Sequence, residues 1–441
     1  MIERDNPPMP AERPRAPHRV PGMRDLLPDE TPTWALLEAA SRLIAQRCGY
    51  QRVVTPVLEA TELFNHAVGE GTDIVDKEMY TFTDRGGRAL SLRPEATASV
   101  VRAYFEGGLH QAPQPVRLWY EGPMFRYDRP QAGRYRQFFQ FGAEAIGDAA
   151  PGLDVELIGM SNDWLAGCGL QGVNLQLNSL GDEVCRPAYR EALREHFRPH
   201  LAEMCEDDRR RFETNPLRLL DCKKPSCTPF QVGAPSPVDH LCQPCQEHHD
   251  QVRAGLGALG IAFEDNPRLV RGLDYYTRTA FEFWDEDLEG AQNAVGGGGR
   301  YDGLAELLGF DPTPGVGFAM GSDRVVLALQ RAGAEVSADV VEVYLIPTAE
   351  GADKVVLEAA RDLRQEGRSA VIDHSVRSLK ARMRQAQKTG SPCVIIVGED
   401  ELSSGTLAVR DMASGEQTAV PSLQLIEQVD AILGVPSVEG E

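Results

Sequence analysis

The chain has 441 residues, more than one hydrophobic core ordinarily serves, so two or three domains are expected. Hydrophobic residues make up 42% and charged residues 25%, and no apolar run is long enough to span a bilayer, which excludes a helical membrane protein. The formal net charge of −21 excludes a uniformly basic nucleic-acid binder and leaves only local basic surface for a polyanion.

Residues 1–18 are rich in Pro and Arg without the apolar stretch of a secretory signal, so a disordered tail is expected there. Without an export signal the protein is expected in the cytoplasm, where thiols stay free or metal-bound. Leu37, Ala40, Leu43 and Ile44 recur at helical spacing and predict a helix over Trp34 to Cys48, ended by Gly49. Arg52 to Leu58 reads as one strand with Pro56 at an edge or irregularity. The turn Asp84 to Arg88 predicts a hairpin, and Glu95 to Glu106 a helix. Arg117 to Phe125 and Tyr135 to Ile146 predict two antiparallel strands joined by the polar loop Arg126 to Arg134.

Residues 183–260 are rich in charge, Cys and His and mostly helical in period, and interrupt the β-rich pattern as an insertion. A first core part, 19–182, and a second, 261–332, flank it. Strands return over Val270 to Trp284. The run Gly296 to Gly299 is expected to be a ligand-approaching turn opening onto a helix over Tyr301 to Leu308. A strand over Gly315 to Met320 and a helix over Gly321 to Arg331 follow. Residues 339–433 alternate strand and helix, which predicts a small α/β domain with a largely parallel sheet before a short tail, 434–441.

Two basic islands stand out: Arg126, Arg129, Arg134 and Arg136 in one, and Arg361 to Lys388 in the other. Taken alone, the second is better explained as solvated helix faces. Within Tyr135 to Ile146, Gln140, Gly142 and Glu144 share one face by period two, with Phe139, Phe141 and Ala143 on the other. That pattern suits a strand with one face on a core and one on a wet cavity, or an ordinary amphipathic strand. Arg271-Gly272-Leu273-Asp274-Tyr275-Tyr276-Thr277 puts tandem tyrosines beside an arginine, a slot for a flat ring or two half-buried core tyrosines. Gly315 to Arg324 runs from small residues into a helix whose Arg324 can reach an anion.

Together these segments resemble the histidyl-tRNA synthetase family, a class II aminoacyl-tRNA synthetase family. Thr55 to Glu59, the Arg126 hairpin and Gly315 to Arg324 resemble class motifs 1, 2 and 3. Arg271 to Thr277 and Gly297 to Leu304 resemble the two signatures peculiar to the histidine enzymes, and Leu92 to Ala98 matches as well. The resemblance implies an α+β fold: an antiparallel sheet flanked by helices, with a helical insertion and a C-terminal α/β anticodon-binding domain. It also implies a homodimer paired through motif 1, with L-histidine, ATP, Mg²⁺ and tRNA(His) as partners and no membrane. Arg126 and Arg271 would serve catalysis at the α-phosphate, with Arg324 on the γ-phosphate. Glu95, Ala96, Thr97 and Gln140 would surround the α-ammonium, and Glu144, Tyr275 and Tyr276 the imidazole. Gln131 and Arg136 would meet the acceptor end of tRNA, and Arg377, Lys380 and Arg384 its anticodon side. Ala96 departs from the family's usual Gly, and Ser322-Asp323 from a longer residue and a Glu. The shorter Asp323 carboxylate is expected to shift a contact to ATP or to a metal.

Cys222-x₄-Cys227 and Cys242-x₂-Cys245, with His240, His248 and His249 close by, fit a four-cysteine structural zinc site; the alternative is four reduced thiols. Cys48, Cys168, Cys185, Cys205 and Cys393 read as packing residues. Three rival functions would each lack a feature that this sequence carries, and another class II synthetase would lack the tandem-Tyr signature. A regulatory paralogue of a histidine-biosynthetic enzyme would lack the Arg271 to Thr277 signature and the C-terminal domain. A sensor of uncharged tRNA would lack Arg126, Arg271 or Arg324.

Overall fold

The computed structural model describes residues 17–435 except 69–73, 223, 271–274, 287, 289–292, 335 and 337–339. Both expected tails, all but residues 17–18 and 434–435, and Arg271 therefore lie outside the described residues. The chain divides into two compact units, residues 1–335 and 336–441.

The first unit is built on strands β1 (Gln51–Arg52), β2 (Leu58–Ala60), β3 (Thr81–Thr83), β4 (Ala89–Leu92), β5 (Val116–Phe125), β6 (Gln137–Ile146), β7 (Val173–Ser179), β8 (Phe263–Asp265), β9 (Thr277–Asp285), β10 (Ala294–Arg300) and β11 (Gly315–Gly321). Eight of them form one sheet in the order β1-β5-β6-β11-β10-β9-β7-β8, antiparallel except for the pairs at its two edges. β5 and β6 pair along their whole lengths, from Val116 opposite Ile146 to Phe125 opposite Gln137. Phe141, Ala143 and Ala145 alternate from β6 into a core shared with Trp164 and Phe318, as period two predicts. The helix Pro151–Gly167 supplies Leu157, Ile158 and Trp164 to that core.

The strand expected over Arg52 to Leu58 is two strands in two sheets. Pro56 has no N–H for a ladder, and the Thr55 carbonyl and hydroxyl accept from Arg93 at 3.1 and 3.0 Å instead of from a neighbouring strand. β3 and β4 form the expected hairpin, its turn set by Asp84 accepting from the Gly86 and Arg88 amides and by Gly87 at φ +80°.

The expected glycine-rich turn is strand β10, at the centre of the sheet between β9 and β11. A Cβ at Gly298 would lie 2.0 Å from the Gly317 carbonyl, so the glycines let two backbones approach rather than cradle a ligand. Arg300, which follows, is fully buried. It pairs with Asp154 and with Asp302 and donates to the Asp148 and Ala150 carbonyls.

Between β7 and β8 lie the helices Arg186–Phe197, Glu206–Thr214 and Gln243–Ala258 with short turns. Tyr189, Leu193, Phe197, Phe212 and Leu219 give this segment its own small core. The anticipated single cysteine site does not form. Cys222 and Cys227 gather with Cys205 and Asp208, and Cys242 and Cys245 with Asp182 and Cys185. The two pairs belong to different turns of the segment, so closeness in sequence does not bring them to one point. Cys185 and Cys205 are accordingly members of polar clusters rather than plain packing residues. His248 instead approaches Asp154 at 3.5 Å, and His249 approaches Asp265 at 3.9 Å.

The second unit holds β12 (Val343–Pro347), β13 (Ala370–Ile372), β14 (Cys393–Val397), β15 (Thr406–Asp411) and β16 (Gln417–Pro421), in the order β13-β12-β14-β15-β16. The first three are parallel, as the strand–helix alternation predicts, but β14–β15 and β15–β16 are antiparallel. The link from Asp411 to Gln417 is too short for a crossover helix, which forces a hairpin. Helices Ala352–Gln365 and Leu425–Leu433 bury Val356, Leu363, Leu425 and Val429 against the sheet.

Candidate active site

A cavity of about 280 Å³ opens over the sheet where β5, β6, β9, β10 and β11 meet. That is the size of a small-ligand pocket. Three arginines line it: Arg126 just after β5, Arg134 from the following loop, paired with Asp128, and Arg324 from the helix Ser322–Arg331. The Arg126 Nε donates to the Pro94 carbonyl at 2.8 Å, and its guanidinium stands over the Phe138 ring at 5.4 Å. Arg324 donates to the Ala294 carbonyl. Burial lowers the pKa of both, and for Arg324 the like charges of Arg134 and Arg126 lower it further. Arginine stays charged under such pressure, so these side chains form a preformed anion site.

The lining also carries groups of the tandem-Tyr and Leu92–Ala98 segments, with Arg126 beside Glu95. Tyr275 and Tyr276 lie with ring centroids 4.8 Å apart, and both line the cavity with Glu95, Thr97 and Gln140. Glu95 sits at the start of the helix Thr97–Glu106 and accepts from the Thr97 and Ala98 amides at 2.6 and 3.1 Å. Burial raises its pKa against those two bonds and Arg126. The Gln140 side-chain oxygen is buried and accepts no hydrogen bond, so it offers an acceptor toward the cavity. Ala96 is buried with right-handed backbone, φ −113°, so no glycine is required at this position.

Glu144 is fully buried behind this part of the lining. Three hydroxyls donate to it: Thr97 at 2.8 Å, Tyr120 at 3.3 Å and Tyr301 at 2.6 Å. Burial pushes its pKa up to about 8, with the Tyr301 and Thr97 bonds opposing. Its oxygens are thus engaged by side chains, and it reaches the cavity through the hydroxyls of Thr97 and Tyr120, which do line it.

Asp323 lines the cavity too, but its oxygens are committed: one accepts from the Phe139 amide at 2.8 Å, the other from Arg24 at 3.1 Å. The shortened carboxylate ties the β6 strand to the N-terminal segment. In the hairpin loop, Gln131 and Arg134 bridge backbone to backbone. Arg136 lies 3.8 Å over the Tyr127 ring and donates to the Asp128 and Pro21 carbonyls. Arg377, Lys380 and Arg384 are exposed on or beside the helix Leu379–Lys388 of the second unit, whereas Arg382 is buried and donates to the Pro347 carbonyl.

The sequence assigned no site role to Tyr120, Tyr301, Arg134 or Glu282, although Arg134 stood in a basic island and Tyr301 in a family signature. Glycine was the available signal for the tyrosines. A Cβ at Gly142 would sit 2.3 Å from the Tyr120 ring, and one at Gly315 would sit 2.3 Å from the Tyr301 ring. A glycine inside a strand marks such a close approach.

An antiparallel sheet with an arginine-bearing hairpin and a strand running into an arginine-bearing helix, all around one polar cavity, defines a class II aminoacyl-tRNA synthetase catalytic domain. The family model described as Histidyl-tRNA synthetase matches residues 22–325, and the model described as Anticodon binding domain matches residues 342–432. A histidine–tRNA ligase of Pelotomaculum thermopropionicum is 49% identical over 91% of this chain and 95% of its own length. One of Desulforudis audaxviator is 50% identical over 93% of this chain and 98% of its own. The crystal structure of apo S. aureus histidyl-tRNA synthetase superposes with a TM-score of 0.80 at 36% identity, covering 94% of this chain and all of that one. The chain belongs to the histidyl-tRNA synthetase family. ATP-dependent activation of histidine and its transfer to tRNA is its activity. The anticodon-binding match removes the regulatory paralogue, which would lack that domain.

Proposed function

We propose that two sets of groups lining the cavity divide the reaction between them. The single observation that carries this reading is that Arg126, Arg134 and Arg324 line the same cavity as Glu95, Gln140 and Tyr276. The histidine carboxylate attacks the α-phosphate of ATP, and no protein nucleophile is needed. Negative charge gathers on phosphoryl oxygens, so fixed guanidinium groups supply the main stabilisation. Arg126 holds the α-phosphate and the amino-acid carboxylate. Arg271 approaches the same phosphate, and Arg324 takes the γ-phosphate. Glu282, a hard carboxylate lining the cavity, is the side chain that would hold Mg²⁺, which would supply positive charge to the phosphates of ATP.

Glu95, Thr97 and Gln140 take the α-ammonium beside Ala96, the unpaired Gln140 oxygen being the acceptor most in need of a donor. Tyr276 and Tyr275 frame the imidazole. Glu144 orients the Thr97 and Tyr120 hydroxyls that the ring meets. A side chain lacking the ring nitrogens would leave these buried groups unpaired, a discrimination on the order of 10⁴ or more.

Gln131 and Arg136 meet the acceptor end of tRNA(His) in the second step, and Arg377, Lys380 and Arg384 meet its anticodon side. Residues 19–182 and 261–332 form the catalytic core, 183–260 its insertion and 339–433 the anticodon-binding domain. The working species is a cytoplasmic homodimer, supported by Val54, Val57 and Leu58, apolar side chains exposed on the single chain around Pro56. No helix among the described residues is long and apolar enough to cross a membrane.

The test is aminoacylation of unfractionated tRNA with each labelled amino acid. Histidine alone should be incorporated, into one isoacceptor group. Incorporation of another amino acid at a comparable rate would overturn the assignment of the cavity.

A further inference from the structure

Outside the active site, the inserted segment assembles two similar quartets. Asp182, Cys185, Cys242 and Cys245 form one, and Cys205, Asp208, Cys222 and Cys227 the other; within each, the ligand-capable atoms all lie within 4.8 Å of one another. We propose that the insertion carries two structural metal sites, each built from three thiolates and one aspartate, and that zinc is the metal they take.

The spacing fits. A tetrahedral zinc with sulfur ligands at about 2.3 Å places those sulfurs roughly 3.8 Å apart. The Cys205 and Cys222 sulfurs are 4.0 Å apart, and the Cys242 sulfur is 3.7 Å from Asp182 Oδ1. Soft thiolates with one hard oxygen are a donor set that zinc accepts.

The second quartet holds an observation that packing does not explain. Asp208 is fully buried, and neither carboxylate oxygen makes a hydrogen bond. Arg211 stands 3.8 Å away, too far for a hydrogen bond. Among the described residues, the 3.8 Å ion pair with Arg211 and the neighbouring Cys222 and Cys227 thiols are all that face this buried carboxylate, and a cation held among the three sulfurs would complete its pairing. The sulfurs are meanwhile provided with amide donors, as metal-bound thiolates are. The Cys227 sulfur accepts from the Cys205 amide at 3.2 Å, the Cys205 sulfur from the Asp208 amide at 3.4 Å, and the Cys185 sulfur from the Cys242 amide at 3.1 Å.

The quartets also share a construction. Asp182-x₂-Cys185 leads into the helix Arg186–Phe197, Cys205-x₂-Asp208 opens the helix Glu206–Thr214, and Cys242-x₂-Cys245 opens the helix Gln243–Ala258. Helix N-termini favour the anionic form of such ligands. Each site ties turns distant in sequence, Asp182 to Cys245 and Cys205 to Cys227. These are the staples a lobe with a small core of its own needs. The inference is independent of the residue roles proposed for the active site.

The test is metal analysis of the full-length protein purified without chelator. About two zinc equivalents per chain are expected, and a thiol-reactive mercurial should release both to a chromophoric indicator. Cobalt reconstitution should give the sulfur-to-cobalt charge-transfer bands of thiolate sites. Asp208→Ala and Cys245→Ser should each lower the content from about two to about one. The wild-type stoichiometry decides the matter even where a variant fails to fold. Folded wild-type protein that holds no zinc, and takes none up under reducing conditions, would overturn the proposal. A single equivalent, lost in one variant and kept in the other, would overturn it for the quartet whose variant keeps the metal.

Discussion

The Tyr301 hydroxyl donates to Glu144 Oε2 at 2.6 Å, joining one of the histidine-family signatures to the C-terminal half of strand β6. The bond lies in the second rank of the active site, behind the hydroxyls that line the cavity. Burial lifts the Glu144 pKa from the ordinary 4.5 to about 8. Between those values the folded protein keeps a proton that the unfolded chain has released. The stability this site contributes is therefore complete below about pH 4.5 and lost as pH rises through about 8. Glu144→Gln, which cannot ionise, should remove that part of the pH dependence. Thermal unfolding midpoints of wild type and variant, measured from pH 5 to 9, should converge or cross as pH rises; parallel profiles would count against the assignment.

Gly317 is the position where the sheet makes room for this carboxylate. A Cβ there would stand 1.6 Å from Glu144 Oε2, whereas one at Gly303 would meet nothing within 4 Å. Gly317→Ala should displace Glu144 and the hydroxyls it holds, and lower kcat/KM for histidine by about 10²-fold, in line with overpacking of about 1–3 kcal/mol. Gly303→Ala should leave it unchanged. Equal effects in the two variants would show that the loss does not come from the Glu144 contact.

Arg300 belongs to the stability of the domain and not to substrate. Its guanidinium is fully buried against Asp154, whose pKa is lowered because the His248 and Arg300 interactions outweigh burial. Removing Asp154 leaves the fully buried Arg300 with only the part-exposed Asp302 as a charged partner. Asp154→Asn should destabilise the first unit by about 3–5 kcal/mol, read as the denaturant midpoint of its unfolding. The KM for ATP of the remaining folded enzyme should stay within a factor of about two, far from the tenfold of 1.4 kcal/mol.

Lys380 and Arg384 lie one turn apart on the exposed face of the helix Leu379–Lys388. If they meet phosphates of tRNA, the double variant Lys380→Ala, Arg384→Ala should flatten the slope of log affinity against log salt by roughly 2. Histidine-dependent pyrophosphate exchange, which needs no tRNA, should not change. A tRNA affinity with unaltered salt dependence would assign these side chains to solvent.

Much of this was legible in the sequence because period and turn chemistry are local. Phe141 and Ala143 alternating with Gln140 and Glu144 place one face of β6 on the core, and Gln140 does line the cavity, whereas Glu144 is fully buried and Phe139 from the other face lines the cavity too. What was not legible depended on partners far along the chain. Gly296 to Gly299 read as a turn, because composition does not reveal that Gly317 and Phe318 lie against it in a neighbouring strand. The four cysteines read as one site, because sequence distance does not show that Asp182 and Cys205 approach from elsewhere. The hold of Arg24 and the Phe139 amide on Asp323 was not legible either, because both partners lie far along the chain. The β15–β16 hairpin was missed because its alternation is short and its turn carries no Asn-Gly signal.

The central claim is that this cavity makes histidyl-adenylate with guanidinium groups as its principal catalysts. Exchange of labelled pyrophosphate into ATP, run with each of the twenty amino acids, tests it most directly. Exchange with histidine alone is predicted, and Arg126→Ala and Arg271→Ala should each reduce it by about 10²-fold or more. Absence of exchange from folded wild-type protein supplied with histidine, ATP and Mg²⁺, or undiminished exchange in both variants, would contradict it.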